Sequence, residues 1–375
     1  LSLSSYYKNM KRNFFAPGRV NLIGDHTDYN GGMVFPAALN MGTFLTITEL
    51  TNCQECAFSS ENDSRSYRLS AKELEQKQSS WVDYPLGVLK EFRDRGVDVL
   101  GFNFHYKGNL PIGAALSSSA SIEVVTAYAV NEIMGKPFSL IELVQMAQKA
   151  ENDFVGMNCG IMDQFASGFG KENCAIALDC NTLEFQCVPL DMQGLKFVIT
   201  NTNKKRGLVD SAYNQRREEC NQALSILSKQ LKINNLCQVN LQEFAQYSSM
   251  LGGSVFRRAR HAISEHARVV TAIDALKQKD MQTFGQQINE THTSLCKDYE
   301  VTCQELDFIV DFAQRFDGVL GSRMTGAGFG GCTVTLIEEG EVSTFIQQLR
   351  SAYEQKFTMQ ADCYIANIGN GAREY

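Results

Sequence analysis

Residues 102 to 137 read as a strand, a loop of small residues and a helix in immediate succession, an order that few folds accommodate. Phe102, Phe104 and Tyr106 alternate with polar neighbours, the period of a half-buried strand. The run Pro111-Ile112-Gly113-Ala114-Ala115-Leu116-Ser117-Ser118-Ser119-Ala120-Ser121 follows. Then Ile122, Val125, Ala129 and Ile133 recur at helical spacing up to Gly135-Lys136-Pro137, a terminator followed by a residue that cannot continue a helix. Small residues ahead of a helix let a phosphate approach the free N–H groups at the positive end of the helix dipole. The consecutive serines add hydroxyls able to bind phosphate oxygens or Mg²⁺. A serine N-cap after a surface loop gives the same pattern, so on spacing alone both readings stay open.

A second helix is expected after this terminator. Ser139 and Glu142 form a capping box at its start. At 100° per residue, Leu140, Leu143, Val144, Ala147, Ala150 and Phe154 share one face. Glu151 falls inside that apolar stripe, whereas Glu142, Gln145, Gln148, Lys149 and Asn152 lie outside it. An inward carboxylate must be paired or neutralised. A magnesium ion at the phosphate loop would neutralise it; a structural ion pair would serve equally.

Two further clusters are rich in hydrogen-bonding groups. Arg19 sits in a strand-like run, Ala16 to Gly24, which leads into Asp25-His26-Thr27-Asp28-Tyr29-Asn30-Gly31-Gly32. Carboxylates and imidazoles in such a group suit the reading of sugar hydroxyls, although Asn30-Gly31 is also a plain hairpin signal. The other cluster is Asn158-Cys159-Gly160-Ile161-Met162-Asp163-Gln164, in which Asp163 is a candidate base or a helix-start acid. Gly326-Ala327-Gly328-Phe329-Gly330-Gly331 matches a dinucleotide-binding fingerprint. Cys332 to Ile337 after it reads as a strand, where that fingerprint needs a helix, so the context argues against a dehydrogenase.

A chain of 375 residues exceeds one ordinary core, and two domains are expected, 1–195 and 196–375. Strands and helices mix as in an α+β protein, with a helical stretch from about Asp210 to Phe316 and another from Ser343 to Phe357. The net charge of −7 argues against nucleic acid as a partner. No apolar stretch approaches a membrane span, and Leu1 to Phe15 does not read as a signal peptide. Twelve scattered cysteines suit a cytoplasmic enzyme with reduced thiols, and Cys53 with Cys56 lacks the second pair that a zinc site needs.

These segments resemble the GHMP kinases and, within that family, its galactokinase branch. Gly18 to Gly32, Pro111 to Glu123 and Gly321 to Cys332 carry the resemblance, and Ala150 to Gln164 and Cys363 to Glu374 are similar too. The resemblance implies an N-terminal domain like the second domain of ribosomal protein S5, a ferredoxin-like C-terminal domain, and a cytoplasmic monomer. It implies phosphorylation of the anomeric hydroxyl of galactose by ATP, the opening step of galactose catabolism, with Mg²⁺. ATP would lie along Gly113, Ala114, Ala115, Leu116, Ser117, Ser118 and Ser119. Ser119 and Glu151 look like the metal ligands, and Asp163, beside Arg19, like the residue facing the anomeric hydroxyl. Asp25, His26, Asp28, Gly160, Asp163 and Tyr213 look like sugar contacts. The chain departs from the family where Asp25 replaces the usual Glu, and where Ala115 and Ala327 replace glycines. A kinase for a related sugar such as N-acetylgalactosamine, or a non-catalytic galactose and ATP sensor on the same fold, are the alternatives.

Overall fold

The structure, a computed structural model, describes residues 11–50, 53–111, 116–204 and 209–375, with side chains from 211 onward in the last stretch. Gly113, Ala114 and Ala115 of the expected phosphate loop lie outside the described residues.

The first layer is built on a six-stranded sheet in the order β13-β1-β3-β6-β4-β5. Its strands are β1 (Lys11–Asn21), β3 (Pro36–Glu49), β4 (Glu55–Ser60), β5 (Asp63–Ser70), β6 (Phe102–Gly108) and β13 (Arg373–Glu374). All pairs are antiparallel except β4 with β6. Phe14, Leu45, Ile47, Phe58 and Phe104 of this sheet form one core with Leu86, Leu89 and Phe92 of helix α1 (Asp83–Asp94), Val124 and Val125 of α2 (Ser118–Ile133), and Leu143 and Met146 of α3 (Leu140–Lys149). A smaller sheet of β2 (Met33–Val34), β7 (Cys174–Asp179) and β8 (Phe185–Pro189) meets α4 (Met162–Phe169) through Phe165, Ile176 and Leu178.

Helices start and stop where local chemistry dictates. At the end of α2, Gly135 (φ 80°) and Lys136 (φ 64°) turn left-handed ahead of Pro137. The capping box of α3 is present: Ser139 N donates to Glu142 Oε2 at 2.8 Å, and Glu142 N donates back to Ser139 Oγ. After Lys149 the helix widens into a π-helix, Ala150–Val155, which Gly156 ends at φ 96°.

The second layer is a four-stranded antiparallel sheet in the order β10-β11-β9-β12, made of β9 (Leu195–Asn201), β10 (Val319–Thr325), β11 (Cys332–Glu338) and β12 (Asp362–Ile365). In chain order these strands lie 2-3-1-4, the ferredoxin-like arrangement. Helices α5 (Val209–Leu227), α6 (Leu241–Tyr247), α7 (Gly253–Lys277), α8 (Met281–Ser294) and α9 (Gln304–Gln314) fill the β9–β10 connection, with a second π-helix at Leu295–Tyr299. Helix α10 (Val342–Phe357) joins β11 to β12. The glycine run 326–331 is a tight β10–β11 turn and leads into a strand, as expected.

The chain's end leaves the second layer. Leu39 bridges Ile368, and β13 pairs with β1, where Arg12 holds Glu374 through two hydrogen bonds at 2.7 and 2.6 Å. Among the described residues no helix is long and apolar enough to cross a membrane.

Candidate active site

Strand β1 carries a bulge between Pro17 and Arg19 that fixes where the arginine emerges. Gly18 backs onto the start of α2 so closely that a Cβ would lie 2.3 Å from the Leu116 carbonyl oxygen. Arg19 N–H donates to that same oxygen at 3.1 Å. The serine segment is therefore clasped to β1. Ser117 then turns left-handed (φ 59°) into α2 and does not cap it. Its hydroxyl instead donates to Asp163 Oδ2 at 2.6 Å.

Asp163 stands in the first turn of α4. Arg19 holds it with both prongs of the guanidinium, Nε to Oδ1 at 2.7 Å and Nη2 to Oδ2 at 2.9 Å. The Arg19 side chain is 5% exposed and that of Asp163 26%, so the carboxylate is the open side of the pair. Fork-to-carboxylate pairing of this kind fixes orientation as well as charge.

The π-helix after α3 carries Glu151 into the interior beside this pair. The Ser119 hydroxyl lies near enough to Glu151 to favour its charged form, so the two expected metal ligands are neighbours. Gln164, next in chain to Asp163, donates through Nε2 to Glu151 at 2.6 Å and to Glu123 at 3.1 Å. Burial, then the charge of Asp163, raises the pKa of Glu151. Burial, then the charge of Glu151, pushes Glu123 well above the usual carboxylate range. Crowded carboxyls of this sort call for a cation. Among the described residues no three His, Cys, Asp or Glu side chains are set to hold a metal. Magnesium needs fewer, because it takes one or two carboxylates and completes its shell with water and phosphate oxygens. The hard oxygens of Ser119 and Glu151, beside the first turn of α2, fit that ion.

Sequence reasoning missed Glu123 and Gln164. Glu123 lies one turn after Ser119, and a stripe pattern hides it because α2 is buried on nearly every side.

The polar segment after β1 forms the adjoining wall. Asp28 opens a 3₁₀ turn, and burial first, then the nearby Asp163, raises its pKa to about 7. Gly160 lies against it so closely that a Cβ would be 2.0 Å from Asp28 Oδ2. The buried His26 is left-handed (φ 65°), and burial lowers its pKa to about 4. Tyr213 of α5 faces both His26 and Tyr29, each with ring centroids 5.6 Å away.

Asp25 adjoins these groups but its carboxylate is engaged elsewhere. It is 1% exposed, and its carboxylate takes Arg323 of β10, Asn21 Nδ2 at 2.7 Å and Gly326 N–H at 3.3 Å. Arg323, itself wholly buried, also donates to the Leu22 carbonyl at 2.8 Å. Close by, Glu265 of α7 accepts from Gly24 N–H at 2.9 Å and from Thr291 of α8. These contacts pin the segment after β1 to the second layer.

The arrangement joins a positioned carboxylate, a guanidinium, oxygen groups suited to a hard cation and a helix N-terminus, the parts that phosphoryl transfer to an alcohol requires. Comparison with known proteins agrees. Family profiles described as GHMP kinases N terminal domain, galactokinase galactose-binding signature and GHMP kinases C terminal match residues 83–171, 4–49 and 272–355. The chain is 46% identical to the galactokinase of Clostridium acetobutylicum over 373 residues, covering 98% of this chain and 95% of that one. It is 47% identical to the galactokinase of Bacillus subtilis over 369 residues, covering 97% and 94%. The crystal structure of Lactococcus lactis galactokinase complexed with galactose superposes with a TM-score of 0.95 at 38% identity, covering 100% of both chains. Methanococcus jannaschii mevalonate kinase, 19% identical with a TM-score of 0.70 over 96% of this chain and 99% of that one, shares the fold.

Proposed function

The chain belongs to the galactokinases of the GHMP kinase family, and from that premise we propose which of its residues perform the ATP-dependent phosphorylation of galactose. Asp163 accepts a hydrogen bond from the anomeric hydroxyl and receives its proton as the new oxygen–phosphorus bond forms and the bond to ADP breaks. Arg19 and Ser117 hold that carboxylate in one orientation, and Arg19 offsets charge developing on the transferred group. Ser119 and Glu151 would hold Mg²⁺, which when bound screens the charge of the ATP phosphates. The N-terminus of α2 faces the phosphates, with Leu116, Ser117 and Ser118 beside them.

His26, Asp28, Gly160 and Tyr213 form the sugar wall. A carboxylate, an imidazole and a phenol can each fix a hydroxyl by direction, and Gly160 leaves room for Asp28. Asp25 braces this wall from behind through Arg323.

The observation that carries this reading is the two-pronged Arg19–Asp163 pair, tied by the Ser117 hydroxyl to the start of α2. An ADP-release assay across a panel of hexoses, with magnesium present and withheld, tests it. Galactose should be phosphorylated far faster than glucose, because a buried group made for the 4-hydroxyl is left unpaired by the epimer, at about 1–3 kcal/mol per group. Turnover should vanish without the metal. Comparable kcat/KM for the two sugars would overturn the sugar assignment.

A further inference from the structure

Two π-helices interrupt the described helices, and such widenings concentrate at functional sites. The first brings in Glu151. The second, Leu295–Tyr299, ends on a fully buried phenol that no step above uses. The Tyr299 ring lies against two imidazoles, its centroid 4.6 Å from that of His26 and 4.4 Å from that of His261. Its hydroxyl is 2.7 Å from the Tyr29 hydroxyl and 3.2 Å from Cys220 Sγ. The Tyr29 hydroxyl is in turn 2.8 Å from His26 Nδ1. At the far end Asn30 Nδ2 donates to Cys220 Sγ at 3.7 Å.

From the geometry of this chain we infer that Cys220, Tyr299 and Tyr29 act as a relay that holds His26 in its Nε2–H tautomer, as a hydrogen-bond donor toward the sugar. The aim toward the sugar rests on the function proposed above; the tautomer does not. Each hydroxyl and the thiol has one hydrogen to place, so the chain can run in two directions. If it starts from an Nδ1–H of His26, Cys220 must accept from both Tyr299 and Asn30, and its own S–H finds no acceptor among the described residues. If it starts from Asn30, the amide donates to sulfur, S–H to Tyr299, Tyr299 to Tyr29, and Tyr29 to Nδ1. Every donor along that path has an acceptor, and the ring hydrogen must then sit on Nε2.

Burial keeps the imidazole neutral, so the ring carries a single hydrogen. Nε2 is buried without a partner in hydrogen-bonding geometry, a donor held open for a ligand oxygen. His261 steadies the residue before it, its Nε2 3.1 Å from the Asp25 carbonyl and its Nδ1 2.9 Å from Ser294 Oγ. Tyr299, Tyr29 and Cys220 are thus positioning residues, acting through His26.

The test is spectroscopic. The full chain is labelled with ¹⁵N-histidine, and the ring signals of His26 are assigned by their loss in His26→Gln. Long-range proton–nitrogen correlations in the free protein should show Nδ1 unprotonated and Nε2 protonated. A predominant Nδ1–H form would overturn the relay, whatever galactose does. Tyr299→Phe keeps the ring between the imidazoles and deletes the hydroxyl. It should shift His26 toward a mixture of tautomers and raise KM for galactose by about tenfold, with kcat changed less. Cys220→Ala should move the tautomer in the same sense, and Cys220→Ser, which restores a donor, should return it. Tautomer ratios unchanged in both Tyr299→Phe and Cys220→Ala would also overturn it. If the expected tautomer is present but galactose leaves the Nε2 signal unmoved, the relay stands and the sugar contact of His26 falls.

Discussion

Arg19 grips both carboxylate oxygens of Asp163, at 2.7 and 2.9 Å, from a strand 144 residues earlier in the chain. Asp163→Asn keeps the shape of the side chain but turns one of the two oxygens gripped by Arg19 into an NH2; because the carboxylate is on the open side of the pair, melting temperature should fall only modestly. Single-turnover rate should fall by roughly 10²–10⁴, as for a lost acid–base group. Arg19→Lys should also be damaging, because an ammonium cannot span two oxygens as the planar fork does. A stable Asp163→Asn protein with near-normal turnover would reduce Asp163 to a helix-start acid.

Glu151→Gln separates metal from sugar. The amide fits the same space beside Gln164 and Ser119 but removes a charge that the burial of Glu151 already makes costly. Stability should hold or rise, while the magnesium concentration giving half-maximal rate should increase by about tenfold or more. Calorimetric affinity for galactose should stay within about twofold. Lost galactose affinity with an unchanged magnesium requirement would reverse the assignment.

How far the sequence revealed this site depended on whether a role was written locally. The capping box of Ser139 and Glu142, the Gly135 terminator and the strand after the glycine run are short-range signals, and the structure contains each. Glu151 was legible because one carboxylate broke an apolar stripe. Glu123 was not, because α2 is enclosed on nearly all sides and no polar face existed to break. The engagement of Asp25 by Arg323 was invisible, since the partners lie 298 residues apart and meet only when the two layers stack. Tyr299 gave no signal either: a π-helix has no periodic signature in a single chain.

Gly160 offers a steric test of the sugar wall. A methyl group there would sit 2.0 Å from Asp28 Oδ2 and 2.9 Å from its Cβ, so turning the carboxylate aside does not by itself make room and Asp28 must shift as a whole. Gly160→Ala should therefore lower melting temperature measurably and also raise KM for galactose by about tenfold, the displaced Asp28 losing its hydroxyl contact. A large loss of stability with normal KM would mean that Gly160 serves packing alone.

The raised pKa of Asp28 predicts a pH dependence. Its folded value is about 7 against 3.8 for the free group, so between those values the folded protein binds the proton more tightly than the unfolded chain. This contribution is fully present below about pH 4 and is lost as pH rises toward 7. Asp28→Asn cannot ionise. With no ligand present, its melting temperature relative to the parent should climb from pH 4 to 7 and then level off. Parallel curves across that range would contradict the half-buried, charge-crowded setting of Asp28.

Asp25 and Arg323 provide the sharpest contrast with the catalytic pair. Arg323 is wholly buried, and its remaining partners are neutral carbonyls, among them Leu22 and Met324. Removing the single charge opposite it leaves a cation without compensation, which costs about 3–5 kcal/mol. Asp25→Asn should thus lower melting temperature sharply, where Asp163→Asn does not. Because the pair ties the segment after β1 to β10, replacing both members by apolar residues of similar size should recover much of the loss. A direct sugar contact predicts the opposite signature: Asp25→Asn would melt normally and bind galactose poorly. Thermal unfolding and KM measured on the same Asp25→Asn preparation decide whether this carboxylate holds the wall or belongs to it.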